Sequence, residues 1–219
     1  MCNEVSRRVD LDLLRIAYEQ AAIGLVFPEG LPNMASLESV RITDPTVIVR
    51  AAAGVPSEAE FGAQSAPSTL LTAELVTRRW SWPGPSGKPV YNYRSEGRDF
   101  RNSAKQGRCL IPVDGFYEFT PPADPAKKRK DKWRFGWAGE DVFMIAGLWK
   151  RDEAAIPDTR HEAFTLLTCA PGPDIAPYHS RQVVLMPRAN WAAWLDGSVP
   201  ARDLIGPAPA GTLTVEQVG

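Results

Sequence analysis

The sequence predicts an α+β fold built on a mainly antiparallel, curved or barrel-like sheet with flanking helices. Short apolar, β-branched and aromatic runs recur through the middle of the chain. Its 20 prolines argue against long helices. Only isolated stretches show the 3.6-residue apolar spacing of an amphipathic helix. The 219 residues suit one domain, read as residues 1–196, followed by a Pro/Gly/Ala-rich tail over 197–219.

The elements follow in order. Residues 9–22 read as a helix: Asp10 can cap it, and Leu11, Leu14, Tyr18 and Ala21 share one face. Gly24 and Pro28 are expected to end it, and the stretch from Pro28 to Asp44 reads as loop. Thr46–Val49 is a β-branched strand, residues 51–69 a loop, and Leu70–Trp82 a strand that turns basic and aromatic towards its end. Pro83–Gly87 is a turn cluster, and Tyr91–Glu96 is extended. Arg98–Arg108 is expected to be helical, with Phe100 and Ala104 inward and Arg101, Lys105 and Arg108 outward. Cys109–Val113 and Phe116–Phe119 read as strands joined by a turn at Asp114-Gly115. After a Pro/Lys-rich loop, strands are expected over 133–137, 142–149, 163–169 and 183–186. A short helix begins near Pro187, and the tail ends in a possible strand over 212–215.

Composition bounds the function. Apolar residues at 44% and a net charge of −1 are ordinary for a soluble protein, so any nucleic-acid affinity must come from a local patch. Three cysteines without a CxxC argue against a disulfide framework or zinc cluster and fit a reducing cytoplasm. No leader and no apolar run near the ~18 residues of a membrane span is expected, and neither histidine has metal-ligand spacing. We therefore expect a cytoplasmic monomer without membrane association, metal or other cofactor.

Four residues stand out for chemistry. Removal of Met1 would leave Cys2 with a free α-amine beside its thiol, a pair with reference pKa values near ~8 and ~8.5. Such a 1,2-aminothiol condenses with an aldehyde to an imine, which its own sulfur closes to a five-membered thiazolidine. Glu118 lies in the otherwise apolar Phe116-Tyr117-Glu118-Phe119, where a carboxylate needs a reason, although a solvent-facing position would also fit the alternation. His179 sits between a Pro/Gly loop and a strand, where reactive groups are commonly displayed. Asn92 interrupts an extended segment.

These residues fall within an ordered set of segments. The set comprises the Met1-Cys2 start, Asn92-x-Arg94-x-Glu96, Pro112–Phe119, Ala146–Trp149, Thr165–Thr168 and Ala176–Arg181. In order and spacing it resembles the SRAP (SOS response-associated peptidase) family over roughly residues 1–196, leaving the tail outside. The resemblance implies an SRAP-like fold and a DNA-damage protein that senses abasic sites in single-stranded DNA. In that family the N-terminal cysteine forms a covalent link to the ring-opened sugar. Carried over, Cys2 is the nucleophile and Asn92 orients the amine or the sugar. Glu118 assists imine formation and ring closure as acid and base, and His179 handles protons on the sugar oxygen and helps reverse the link. It also implies thiol lyase or peptidase activity, including removal of Met1.

DNA contact requires cations and stacking surfaces. Between Arg78 and Arg108 eight basic residues face two acids, and Arg78, Arg79, Trp80, Trp82, Arg94 and Arg181 are the groove candidates. The chain departs from the family in three places. Asn3-Glu4 follows Cys2 in place of Gly-Arg, Ser81 follows Trp80 in place of Gly, and Ser180-Arg181-Gln182-Val183 follows His179 in place of Asp-Arg-Met-Pro. Two other readings remain open: a thiol peptidase or amidase using Cys2, His179 and Asn92, and a DNA-binding module without chemistry.

Overall fold

The computed structural model describes residues 2–52, 71–84, 86–124, 126–156 and 160–219. It is mostly sheet with few helices. The loop expected over 51–69 lies outside the described residues, apart from Ala51 and Ala52.

The chain opens with β1 (Glu4–Arg7), every residue of which is buried. Nothing in its sequence marks it as a strand. Its burial comes from position, because it lies between β3 (Leu37–Arg41) and β10 (Gly115–Thr120), antiparallel to both. β3 corrects the loop expected over Pro28–Asp44, since five residues with no clear alternation are drawn into a strand by pairing with β1. β11 (Asp131–Trp137) and the tail strand β16 (Leu213–Gln217) complete this five-stranded antiparallel sheet, in the order β16-β11-β10-β1-β3.

The helix expected near the start is α1 (Leu11–Gln20), capped by Asp10, whose Oδ1 accepts from Leu13 N at 2.7 Å. It buries Leu14, Ala17 and Tyr18. It stops earlier than expected. Ala22 turns the chain at φ 55°, and Gly24 lies inside β2 (Ile23–Val26) instead of ending the helix.

The larger sheet runs β14 (Gln182–Val183), β13 (Glu162–Cys169), β12 (Phe143–Arg151), β9 (Gln106–Val113), β4 (Pro45–Ala51), β5 (Leu71–Trp80) and β2. β8 (Asn92–Arg94) pairs parallel with β13, and β15 (Leu185–Met186) pairs with β12. β13 also pairs with β5, parallel, through Ala163↔Arg79 and Phe164↔Trp80, so the succession of pairings returns on itself. The turn cluster after Trp82 lies between β6 (Trp82–Pro83) and β7 (Pro89–Val90), a small antiparallel pair.

Alternation along β9 and β12 divides the interior. Leu110 and Met144 join Tyr18, Trp191 and Trp194 in a core under α1 and α2 (Trp191–Asp196). Cys109, Ile111 and Ile145 join Cys2, Val5, Phe116 and Phe135 in a second core, on the side of the five-stranded sheet. A further helix, α3 (Ala201–Leu204), belongs to the tail.

Two further expectations are corrected. Residues 98–105 are irregular and not helical, because Asn102 offers the backbone other partners. Its Oδ1 accepts from Arg108 N at 2.8 Å and its Nδ2 donates to Leu195 O at 2.7 Å. Arg108 points inward, 3% exposed, donating to the carbonyls of Phe100 and Val199. At Asp114 the chain does not fold back as a turn but passes from β9 in one sheet to β10 in the other. The Asp114 carboxylate holds this crossing by accepting from Arg8 N at 2.9 Å, Arg8 Nε at 2.7 Å and Arg134 Nη2 at 2.7 Å. A Cβ at Gly115 would lie 2.8 Å from Arg134 Nη2, so a side chain there would displace the guanidinium that Asp114 holds.

Candidate functional site

The four residues singled out for chemistry are delivered by four separate segments. Cys2 lies two residues before β1 begins at Glu4, Asn92 opens β8, Glu118 is central in β10, and His179 follows the loop after β13. The structure links three of them directly. Asn92 Nδ2 donates to the Cys2 carbonyl at 2.6 Å. The Glu118 carboxylate accepts from the backbone N–H of Cys2 and feels the positive charge of His179. The nitrogen and the carbonyl of Cys2 are thus each held by a side chain distant in sequence.

Glu118 is 2% exposed and corrects the alternative of a solvent-facing glutamate. Burial pushes its carboxyl above the usual range. The terminal ammonium, His179 and the Cys2 N–H oppose that rise without overcoming it. Cys2 itself is 1% exposed. Burial first, then the nearby Glu118 charge, pushes its thiol well up, against hydrogen bonding at Glu4 and Tyr117. Its Sγ lies 3.3 Å from the Glu4 carbonyl.

His179 reaches this cluster on a run of tight turns. Gly172 O accepts from the N–H groups of Ile175 and Ala176, and Ile175 O from those of Tyr178 and His179. Ile175 is fully buried and anchors the run. Arg181 N donates to His179 Nδ1 at 2.9 Å, which in the neutral ring leaves the proton on Nε2. Arg181 O lies 3.0 Å from the same Nδ1 and can accept from it when the ring is an imidazolium.

The groove candidates divide. Arg78 is not presented to DNA: its side chain is 4% exposed and donates to Glu162 at 2.5 Å and Glu29 at 2.8 Å, inside a network that continues to Arg50 and Glu74. Trp80 is not a base platform either. It is 1% exposed, stacks on Phe164 with ring centroids 6.3 Å apart, and donates from Nε1 to Tyr91 O. Trp82 is largely buried against Ile156 and Ala163, with Lys150 Nζ 5.1 Å from its ring centroid. Arg181 is fastened to both oxygens of Glu96 and to Thr168, and its guanidinium holds the Glu96 carboxyl below the usual range. Arg79 is half-buried and Arg94 exposed. An aromatic signal was spread over Trp80 and Trp82 because sequence cannot tell a buried strand end from an exposed one.

Sequence reasoning missed other neighbours of the site. Trp133 lies directly opposite Glu118 in the β10–β11 register, and Tyr178 precedes His179. Only the second was visible as adjacency in the chain. Glu4, one of the departures at the start, is 4% exposed and paired with Lys132 at 2.7 Å. Burial would raise its carboxyl, but Lys132, Ser39 and Arg41 together hold it below the usual range. Among the described residues no group of three or more His, Cys, Asp or Glu could hold a metal ion, and no helix is long and apolar enough to cross a membrane.

Comparison with known proteins identifies the family over a span that includes the tail expected to lie outside it. A family model described as SOS response associated peptidase (SRAP) matches residues 48–219. Two Bacillus subtilis (strain 168) proteins named abasic site processing protein, YoqW and YobE, are each 28% identical, over 121 and 102 residues. These matches cover 53% and 47% of this chain, and the chain spans about half the length of these curated relatives, 52% and 45%. A crystal structure of a protein from Bordetella bronchiseptica shares the fold with a TM-score of 0.66 at 22% identity, covering 100% of both chains. One from Bacteroides thetaiotaomicron does so at 0.63 and 16%, covering 100% of this chain and 92% of that one.

Proposed function

Because the chain belongs to the SOS response associated peptidase family, we propose that it processes abasic sites in single-stranded DNA, capturing the sugar covalently through Cys2 once Met1 is removed. The observation that carries this reading is the contact between the Glu118 carboxylate and the Cys2 nitrogen, with Asn92 fixing the adjoining carbonyl. After Met1 leaves, that nitrogen is an α-amine with a base already beside it.

The steps balance. The amine of Cys2 attacks C1′ of the ring-opened sugar, Glu118 takes a proton from the nitrogen, and His179 supplies one to the carbonyl oxygen. The carbinolamine loses one water to give an imine. The Cys2 sulfur then adds to the imine carbon while its proton passes to the nitrogen, closing a thiazolidine. A carboxyl whose affinity for protons is raised by burial suits both roles, base first and acid for the departing hydroxyl. The sulfur is tethered to the imine it attacks, so a thiol without prior ionisation has a large effective molarity.

A cysteine-peptidase reading fits less well. Acyl transfer needs an activated thiolate, whereas burial and the Glu118 charge here push the thiol in the opposite direction. We take peptidase activity as confined to removal of Met1, and the acting form as a cytoplasmic monomer.

The test incubates the protein with uracil-containing single-stranded DNA and a uracil glycosylase, followed by a denaturing gel. We expect a shifted band, absent in Cys2→Ala and formed about 10²-fold more slowly in Glu118→Gln. The intact mass should lack Met1. A band of equal yield from Cys2→Ala would overturn the reading.

A further inference from the structure

The five-stranded sheet turns one face towards Cys2, and that face carries more than the reacting groups. Phe116 and Glu118 of β10 lie opposite Phe135 and Trp133 of β11 in register, so all four side chains project to the same side. Tyr178, the residue before His179, packs against both β11 aromatics. Its ring centroid is 4.8 Å from that of Trp133 at an interplanar angle of 59°, and 5.2 Å from that of Phe135 at 81°. Phe135 is fully buried and stacks on Phe116 at 5.2 Å. Trp133 and Tyr178 are not; each is only half-buried.

Their positions are fixed from behind. Trp133 Nε1 donates to Thr120 Oγ1 at 2.9 Å, which satisfies the indole nitrogen and sets the ring plane. Tyr178 is held by its backbone bond to Ile175 and by the packing of Phe135 beneath it. The result is a preorganised aromatic pair one side chain away from Glu118. Meanwhile the two tryptophans that the sequence offered for the groove, Trp80 and Trp82, are both buried. A single strand entering this site needs an apolar, π-faced surface for the base beside the missing one, because unstacking a base next to an abasic gap exposes both its faces to water. Aromatic side chains provide that surface without regard to base identity.

We propose that Trp133 and Tyr178 form a stacking platform for the nucleobase adjacent to the abasic sugar, making that neighbouring base a determinant of which sites are engaged. The proposal rests on the abasic-site reading for the identity of the strand. The platform itself is tested without the covalent chemistry.

The probe is a fluorescein-labelled single-stranded 11-mer carrying a tetrahydrofuran abasic analogue at its centre, which has no aldehyde and cannot crosslink. Its two neighbours are either adenines or further tetrahydrofuran spacers. Fluorescence anisotropy of the full chain should give binding about tenfold tighter to the adenine-flanked strand. Trp133→Ala should reduce that ratio to less than twofold, and Trp133→Phe, which keeps a π-face, should retain most of it. Circular dichroism melting confirms that both variants are folded. A ratio in Trp133→Ala equal to that of the parent, or no preference in the parent, overturns the platform. A preserved preference in a protein that fails to crosslink any aldehyde-bearing strand would leave the platform standing and remove the covalent reading instead.

Discussion

Among single residues, Ser81 shows how a local departure is absorbed. It lies between two tryptophans at φ 88°, 1% exposed, with its N–H donating to Phe164 O at 2.7 Å. The left-handed half of backbone space disfavours any side chain with a Cβ, by roughly 1–2 kcal/mol. The conformation persists because it lets β5 leave its pairing with β13 and turn towards β6. Ser81→Gly removes the clash and gives back part of the gain as unfolded-chain entropy, so we expect a net stabilisation of roughly 0.5–1 kcal/mol. Urea denaturation should show a higher midpoint at an unchanged slope. A lower midpoint would mean that the buried hydroxyl contributes more than the backbone strain costs. Glu118 gives a second expectation at this scale. Its raised affinity for protons places the acid limb of the crosslinking rate above the ordinary glutamate value of 4.5, with the rate falling as pH drops through it. In Glu118→Gln that limb should disappear from the pH–rate profile.

At the scale of elements, strands were legible where one face is buried and the apolar pattern is continuous, as in β4, β9, β12 and β13. They were illegible where pairing makes the strand. β1 reads Glu-Val-Ser-Arg and β3 reads Leu-Glu-Ser-Val-Arg, and neither pattern announces a sheet. The helix expected over 98–108 failed because Asn102 and Arg108 spend their polar groups on the backbone. The four residues singled out for chemistry come together in the fold, but their contacts were not legible in the sequence. Which atom of Cys2 each partner holds depends on segments that meet only in the fold. The tail is equally instructive. Asp174, in the turn that carries His179, accepts from Gly211 N at 3.0 Å and Leu213 N at 2.9 Å. A Cβ at Gly172 would meet Ala208 O at 2.1 Å, so the two segments touch through backbone. Residues 206–213 therefore brace the loop that presents His179. Asp174→Ala removes an ionised acceptor from two backbone donors, at a cost of about 1.5–3 kcal/mol. Amide hydrogen exchange should quicken over 172–179 in that variant, with β9 and β12 unaffected; uniform acceleration would point to global destabilisation instead.

For the molecule as a whole, the buried thiols set an alkaline limit on stability. Cys2, Cys109 and Cys169 are all free and at most 4% exposed. Burial is the first cause in each case of a thiol held well above its ordinary value of 9.0, reaching about 12 at Cys169. The sign follows from linkage. Well below pH 9 the thiols are protonated in both folded and unfolded chains and contribute nothing to the pH dependence. Above it the unfolded chain releases protons that the folded chain retains, so stability falls as pH rises. The loss is roughly 1 kcal/mol per thiol for each pH unit until the folded group also ionises. Folding should therefore weaken steeply between pH 9 and pH 11, measured as ΔG from urea titrations at fixed ionic strength. Cys109, fully buried in the core beside Gly147, is the cleanest probe. Cys109→Ala leaves a small cavity and lowers stability at pH 7, yet it removes one titrating group. Its alkaline limb should be shallower than the parent's, and the two curves should converge as pH rises. Parallel curves would show that Cys109 does not carry the effect and that other buried groups, Cys2, Cys169 and Tyr18, govern the alkaline limb.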